Sequence, residues 1–232
     1  MIGIRKAAER GRSAHGWLDS FHSFSFADYY EPAQMGYGPL RVINDDTVQG
    51  GRGFGTHGHR DMEILSYVLD GQLAHKDNMG NGSTIVEGDV QRMSAGRGIM
   101  HSEYNPSPDR PVHFLQIWIE PDTTGLRPSY EQKRIDQASK RGRLALIASP
   151  DGRDGSVTVH QDAYVYAGLF NAAERATHEV EQARRAYVHV ARGRIALGDT
   201  VLSAGDGATI EGPARIEIGD GDAAEVLVFD LP

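Results

Sequence analysis

Short apolar or alternating stretches, separated by glycine-containing turns, recur along the chain and constrain its fold more than any other feature. Residues 62–69 read as a strand closed by a turn at Asp70-Gly71, and residues 112–119 (VHFLQIWI) are the most apolar strand. The 28 glycines are scattered between such stretches, and average usage would give about 16 in a chain of this length. Short strands with regular turn signals are typical of sandwiches and barrels. The sequence therefore predicts an all-β protein with little helix.

The second half of the chain repeats the β pattern of the first, which favours two tandem domains. Gly71 and Gly88-Asp89 frame a pair of strands in the first half, and Gly193 and Gly205-Asp206 frame a similar pair in the second. The length of 232 residues allows one large β domain or two smaller ones. We predict an N-terminal domain at 1–125, a polar connector at 126–142 and a C-terminal domain at 143–232.

Three segments have less regular patterns. Residues 5–20 are polar with mixed charge and predict a loose lead-in. Residues 21–26 (FHSFSF) alternate, which predicts a half-buried strand with His22 on its apolar face. Residues 174–185 suit a helix or a loop equally well, because β-branched residues weaken the helical pattern.

Composition excludes several classes of protein. The formal net charge of −8 argues against a duplex-DNA binder, which needs a basic face. There is no cysteine, so disulfides, thiolate metal ligands and thiol nucleophiles are excluded. No run approaches the ~20 apolar residues of a membrane span, and the first residues carry no secretory signal pattern. We therefore expect a cytoplasmic protein with no direct nucleic-acid partner and no membrane contact.

Two short motifs carry side chains that bind metals at positions i and i+2. His57 and His59 form the first pair, here called the first clip, and His101 and Glu103 form the second clip. In a β-strand such pairs point to the same face. Two facing clips would provide three imidazoles and one carboxylate, a set that suits Fe, Cu, Ni, Mn, Co or Zn. Four protein ligands leave coordination positions open, which favours catalysis over a purely structural site.

The residues alone leave the carboxylate ligand open between two glutamates. Glu103 lies two residues after His101, as His59 lies two residues after His57. Glu63 lies four residues after His59, which is also nominally the same face of a strand. Spacing favours Glu103 but does not exclude Glu63.

The clips lie within two longer motifs that resemble those of the cupin superfamily. The first is Gly51-x5-His57-x-His59-x3-Glu63-x7-Gly71, and the second is Gly88-x5-Ser94-x-Gly96-x4-His101-x3-Asn105. The first departs by one residue in its Glu-to-Gly gap; the second has Ser94 in place of the usual proline and two extra residues before its histidine. The stretches HGHRDME, SAGRGIMHSE and HSFSF resemble the pirin family. The resemblance runs from about residue 5 to the C-terminus and is greatest to bacterial pirin-like quercetin 2,3-dioxygenases.

This resemblance implies a bicupin, with a metal-binding N-terminal cupin and a degenerate C-terminal cupin that has lost its metal site. It implies one divalent transition metal held by His57, His59, His101 and Glu103, with Glu63 near the site but not a ligand. It also implies a dioxygenase that opens the ring of quercetin or a related flavonol with O2 and releases carbon monoxide. Glu103 would then act both as a ligand and as a base toward the flavonol hydroxyl.

Several other polar residues are candidates for the pocket, although each also has an ordinary structural interpretation. His22 would lie at the pocket mouth or be a hydrogen-bonded core histidine. His113 and Gln116 have opposite parity on their strand, so at most one faces the site. Asn105 has the alternative of a turn residue. Five further histidines have no patterned partner and are interpreted as structural or surface residues: His15, His75, His160, His178 and His189.

Other functions remain open at this point. The main alternative is a non-enzymatic metal or redox sensor of the pirin type that binds a partner protein. A different small-molecule cupin enzyme and a storage or structural β-barrel are the others. They differ in their expected metal content and oxygen consumption.

Overall fold

The computed structural model describes residues 2–232 and consists mainly of β-strands. It is 64% strand and 4% helical, which confirms the all-β expectation. In chain order the elements are β1 (Ile2–Arg5), β2 (Gly11–Ala14), β3 (Leu18–His22), β4 (Leu40–Val48), β5 (Gly53–Asp70), β6 (Gln72–Asp77), β7 (Gly82–Val86), β8 (Asp89–Tyr104), β9 (Val112–Ile119), β10 (Ser129–Arg134), α1 (Gln137–Lys140), β11 (Leu144–Ser149), β12 (Val157–Thr158), β13 (Tyr164–Ala172), β14 (Ala176–Val180), β15 (Arg185–Leu197), β16 (Thr200–Ser203), β17 (Gly207–Glu211) and β18 (Ala214–Leu231), with 3₁₀ turns at Ala7–Glu9 and Arg153–Gly155.

The chain divides into two compact units. The N-terminal unit contains residues 11–134 and 157–161, and the C-terminal unit contains residues 2–10, 135–156 and 162–232. Two short segments therefore belong to the unit formed mainly by the other half of the chain. Residues 2–10 belong to the C-terminal unit, and residues 157–161 belong to the N-terminal unit. The sequence-based bounds at 125 and 143 remain a prediction.

The N-terminal unit is built on one antiparallel sheet with strand order β2-β3-β4-β9-β5-β8-β6-β7, and β10 pairs with β8. Alternate residues of the strands face the interior, because side chains along a strand point to opposite faces. Buried side chains from several strands form two clusters. One contains Ile64, Met93, Ala95 and Ile99, and the other contains Val48, Val68, Leu73, Ile85, Val112 and Phe114.

The C-terminal unit has its own antiparallel sheet and its own core. Its strands run in the order β1-β17-β15-β18-β13-β11, with β14 paired to β18 and β16 paired to β15. The long strands β15 and β18 supply much of the core, which includes Val188, Val190, Val226 and Val228. Each unit thus buries an apolar cluster of its own, as an independently packed β domain requires.

The glycines that framed the internal repeat all have left-handed backbone conformations, but Gly193 lies inside β15 at an irregularity of its pairing with β18, whereas the other three lie between strands. Gly71 and Gly88 have φ of +79° and +88°, and Gly193 and Gly205 have φ of +68° and +84°. Glycine adopts this conformation without the clash that a Cβ atom causes. The Gly pattern therefore marks turns between strands at three of its four positions and an irregularity within a strand at the fourth.

Three segments differ from the sequence-based prediction. Residues 5–20 are not a loose lead-in, because β2 and most of β3 lie there and pair with each other. The predicted strand at 21–26 ends at His22, and the following residues form bends and a turn. Residues 174–185 contain β14, so both the helix and the loop interpretation were wrong for Ala176–Val180. Pairing between strands, which short local patterns do not encode, decides these segments: β2 pairs with the neighbouring β3, β3 also pairs with β4, and β14 pairs with the distant β18.

Residues 129–134, predicted as part of the connector, form β10 and pair with β8 over their whole length. Across residues 2–232, no helix has the length and apolar character needed to cross a membrane.

Candidate metal centre

The two clips lie on neighbouring antiparallel strands. β5 carries His57 and His59, and β8 carries His101 and Glu103. His57 pairs directly with His101 in the register of the two strands. The facing arrangement expected from the i, i+2 spacing is thus present in the backbone.

Irregular pairing flanks the first clip on both sides. Between Phe54 and His57, β5 advances three residues while β8 advances two. Between His59 and Asp61, β5 advances two residues while β8 advances three. Such bulges bend a strand and redirect its side chains, and they are frequent beside active sites. The two shifts compensate each other, so regular pairing resumes beyond the clip.

The three histidine rings converge. His57 Nε2 and His101 Nε2 lie 3.0 Å apart. The centroid of the His59 ring lies 4.7 Å from that of His57 and 4.8 Å from that of His101. One ring nitrogen from each histidine lies within 4.8 Å of the others, a spacing that could hold a metal ion.

Hydrogen bonds orient two of the rings. His57 Nδ1 lies 2.8 Å from the carbonyl oxygen of Gly55, so Nδ1 carries the proton and Nε2 keeps its lone pair. His101 Nδ1 faces the Nδ1 atom of His75 at 3.4 Å. The Nε2 lone pairs of His57 and His101 are therefore both available to one metal ion.

Burial keeps two of these imidazoles neutral. Burial, reinforced by His101 and His57, lowers the pKa of His59 to about 4, while the charge of Glu103 acts in the opposite direction. Burial also lowers the pKa of His101 to about 3, with His57 and His75 adding to the effect. Neutral imidazole is the form that binds transition metals.

The histidine donors fit a transition metal in geometry as well as in charge, while Glu103 is grouped with His101 and not with His57 and His59. Two nitrogens that each lie about 2.1 Å from one ion are about 3.0 Å apart when the N–metal–N angle is a right angle. That value matches the separation of the Nε2 atoms of His57 and His101, which is 3.0 Å. Imidazole nitrogens combined with a carboxylate suit Fe, Ni, Cu, Mn, Co and Zn.

Glu103 lies beside the histidines and is only 1% exposed. The hydroxyl of Ser66 donates to its Oε1 at 3.2 Å, and the amide of Gln116 donates to its Oε2 at 2.8 Å. With His75 and His101 it forms a second group whose ligand atoms lie within 4.8 Å of one another. Two neutral donors thus hold the carboxylate in place without adding a positive charge.

His75, which the sequence-based interpretation treated as structural or surface, lies directly behind the second clip. It is 2% exposed and its Nε2 lies 3.3 Å from Asp77 Oδ2. Because Asp77 accepts from Nε2–H, Nδ1 of His75 is left to accept the proton of His101 Nδ1. No local signal in the sequence reveals this, since β6 becomes a neighbour of β8 only in the folded sheet.

A cavity of about 350 Å³ opens beside the first clip. His57, His59, Glu103 and Gln116 line it, and so does His22. Aromatic side chains form much of the remaining wall, namely Trp17, Phe26, Phe54 and Trp118. Trp118 contacts His59 edge to face at 4.9 Å and Phe26 at 5.4 Å. His15 and Trp17, from the segment predicted to be a loose lead-in, also line this cavity.

The other candidate residues lie in different surroundings. His113 Nε2 contacts Asp45 Oδ1 at 2.6 Å, and His113 does not line the cavity, so Gln116 is the member of that pair that faces it. Asn105 donates to the carbonyls of Val48 and Arg110 and serves as a loop anchor.

Glu63 is fully buried but belongs to a different cluster. Its Oε2 accepts from the Ser94 hydroxyl at 3.0 Å and from the backbone N–H of His160 at 3.2 Å. Neither group of potential metal ligands found within residues 2–232 includes Glu63, and neither includes a residue of the C-terminal unit.

The fold and this cluster define a cupin-type protein with a histidine-rich metal centre, and comparison with known proteins gives the family. The model of the Pirin family matches residues 3–119, and that of the quercetinase C-terminal cupin domain matches residues 146–231. The chain is 48% identical over its full length to a quercetin 2,3-dioxygenase of Escherichia coli K12, of which it covers 99%. The chain therefore belongs to the pirin family.

Solved structures agree with this assignment. The crystal structure of YhhW from Escherichia coli is 49% identical and superposes with a TM-score of 0.95, covering 100% of this chain and 98% of that one. A structure of the same bacterial pirin in complex with nickel(II) gives a TM-score of 0.94 at 48% identity, with coverage of 100% and 99%.

These findings confirm the resemblance to pirins, the bicupin fold and the similarity to an oxidoreductase of the quercetin 2,3-dioxygenase type. The expected kind of cofactor, a divalent transition metal, agrees with the nickel complex of the relative and with the cluster described here.

Proposed function

We propose that this protein is a metal-dependent dioxygenase that opens the ring of quercetin or a related flavonol with O2. The observation that carries the proposal is the convergence of His57, His59 and His101 next to a carboxylate, at the wall of an aromatic cavity. The name and the full-length similarity of the Escherichia coli relative support the same reaction.

The residues that would hold the metal are His57, His59, His101 and Glu103. Neutral histidines and one carboxylate leave a divalent ion with a net charge of about +1, which suits an ion that also binds an anionic substrate. When bound, the ion supplies Lewis acidity toward a hydroxyl group and a centre for oxygen chemistry. The metal itself is one of Fe, Cu, Ni, Mn, Co or Zn.

Glu103 is the base in this proposal. Its two oxygens are held by the hydroxyl of Ser66 and the amide of Gln116, so the carboxylate has a fixed orientation. It would accept the proton that the flavonol hydroxyl loses on binding. The fixed hydrogen bonds reduce the reorganisation needed at that moment.

The cavity supports a flat aromatic substrate. Its volume of about 350 Å³ is near the lower end of the range of roughly 300–1,000 Å³ for small-molecule pockets. Trp17 and Phe54 contact each other edge to face with centroids 5.3 Å apart, and Phe26 and Trp118 do so at 5.4 Å. Such surfaces bury aromatic rings and exclude water from the reacting atoms.

Oxygen uptake tests the proposal. Metal-loaded wild-type protein should consume O2 with quercetin and release carbon monoxide, whereas His57→Ala should lose uptake. His113→Ala is a matched control, because His113 does not line the cavity. Glu103→Gln keeps the shape of the side chain but removes the base, so uptake should fall even in protein that retains metal.

The proposal fails if metal-loaded wild type consumes no oxygen with any flavonol and behaves like His57→Ala. One bound metal without uptake would favour the metal or redox sensor instead.

A further inference from the structure

A row of buried polar residues crosses the sheet of the N-terminal unit and reaches the metal centre. His22 pairs with Asn44, Asn44 with Gln116, and Gln116 with Ser66 on four successive strands. His22 Nδ1 lies 2.8 Å from Asn44 Oδ1, and Gln116 and Ser66 both donate to Glu103. Every member of this polar row is at most 9% exposed. An apolar sheet face would not need such a row, which indicates that the row serves a ligand.

Asp46 lies next to this row, but the row gives its Oδ1 atom no hydrogen bond. It is two residues beyond Asn44 on β4, faces the same cavity, and is 3% exposed. Within residues 2–232 its Oδ1 atom has no hydrogen-bond partner. A buried acceptor without a partner destabilises a fold, so its retention calls for an explanation.

The surroundings of Asp46 compensate its charge only in part. Burial is the largest cause that raises its pKa, to about 7; Asp45 and Glu103 act in the same direction, while the Ser20 hydroxyl and His113 oppose them. A carboxyl group kept in such a place is typical of a functional site rather than of a structural ion pair.

We propose that Asp46 is a specificity-determining residue whose Oδ1 accepts a hydrogen bond from a substrate hydroxyl carried on a ring other than the one at the metal ligands. This inference rests on the proposed function, because it assumes a flavonol in the cavity. The two clips would hold the metal that binds one end of the substrate, and Asp46 would accept a hydrogen bond from a hydroxyl at the other end. A site built to hydrogen-bond a hydroxyl discriminates strongly against an analogue that lacks it, since the buried acceptor is then left unpaired.

Two flavonols and three variants test the assignment. Quercetin carries two hydroxyls on its phenyl ring, and galangin is the same molecule without them. Dissociation constants are measured without oxygen, from quenching of tryptophan fluorescence in metal-loaded protein, since Trp17 and Trp118 line the cavity. Wild type should bind quercetin at least about tenfold more tightly than galangin, the factor expected for a hydrogen bond to a charged group.

Asp46→Asn and Asp46→Ala should reduce this preference and leave the affinity for galangin nearly unchanged. Asp45→Asn is the matched control, because Asp45 is the preceding residue on the same strand, contacts His113 and does not line the cavity. It should keep the wild-type preference.

The inference is overturned if Asp46→Ala retains the wild-type ratio of affinities, or if wild type binds neither flavonol. Oxygen uptake, measured separately, tests the proposed function. Tight binding with a preference that depends on Asp46 but without uptake would refute the oxygenase and uphold the role of Asp46. Oxygen uptake together with a preference for quercetin that Asp46→Ala leaves unchanged would uphold the oxygenase and refute the role of Asp46.

Discussion

At the scale of single residues, the metal centre depends on side chains that would not themselves touch the metal. His101 is oriented by His75, and His75 by Asp77. Asp77 is in turn held by the Asn81 side chain and by the backbone N–H groups of Met79 and Asn81, and hydrogen bonds to Asn81 and His75 keep its pKa below the ordinary value despite burial. A fixed carboxylate–histidine–histidine chain determines which nitrogen of His101 carries the proton.

Asp77→Asn should weaken metal binding. The amide that replaces the carboxylate is a poorer acceptor for His75 Nε2–H, so His101 loses part of its orientation. We expect the metal dissociation constant to rise by roughly 10–100-fold, as for other outer partners of metal-binding histidines. Competition with a chromophoric chelator measures it, with Asp70→Asn at the exposed end of β5 as the control. A change of less than about twofold would show that the chain of hydrogen bonds does not matter.

The buried Asp46 side chain should lower the free energy of unfolding at neutral pH, where its carboxyl group begins to ionise. Its carboxyl has an ordinary pKa of 3.8 when the chain is unfolded and a pKa of about 7 in the folded protein. The folded state therefore binds the proton more tightly, so the stability due to this group is full below pH 3.8 and is lost as pH rises toward 7.

Asp46→Asn should therefore raise Tm relative to wild type at pH 8 and do so less at pH 4. Thermal unfolding of metal-free protein measures both values. An equal or lower Tm of the variant at pH 8 would contradict this account of Asp46 as a group that lowers stability and is retained for function.

At the scale of elements, the first clip depends on close contact between β5 and β8. Gly53 lies where a Cβ atom would come within 2.3 Å of the backbone oxygen of Glu103 and of the Tyr104 Cα atom. A Cβ atom on Gly55, two residues later, would have no atom within 4 Å. Both glycines precede the first clip, so they form a matched pair.

Gly53→Ala should push β5 away from Glu103 and reduce both Tm and metal content, because neither backbone can yield without breaking pairing. Gly55→Ala should resemble wild type in both measurements. Thermal unfolding and metal analysis compare the variants directly. Similar behaviour of the two would mean that close approach of the strands at Gly53 is not required.

Sequence patterns predicted individual elements best where a strand is apolar and buried. Residues 112–119 form β9 at those bounds. The pattern failed for β2, a short strand that pairs with the neighbouring β3, and for β14, whose partner β18 lies far along the chain. The parity argument allowed at most one of His113 and Gln116 to face the site and could not say which; Gln116 lines the cavity and His113 does not.

At the scale of the whole molecule, the candidate site combines residues that are far apart in sequence. Spacing predicted that the two clips face each other, and the register of β5 and β8 then places His57 opposite His101. The order β3-β4-β9-β5-β8-β6 brought in His22, Asp46 and His75. That order depends on long-range pairing, which is why sequence reasoning found the clips but missed Asp46 and the role of His75.

Metal content tests the central claim most directly. The protein is purified in parallel as wild type, His57→Ala and His113→Ala, loaded with nickel(II), desalted and analysed for metal per chain, with circular dichroism to confirm folding. We predict one metal per chain in wild type and in His113→Ala, and almost none in folded His57→Ala. No metal in wild type, or equal metal in all three proteins, would contradict a centre built from the two clips.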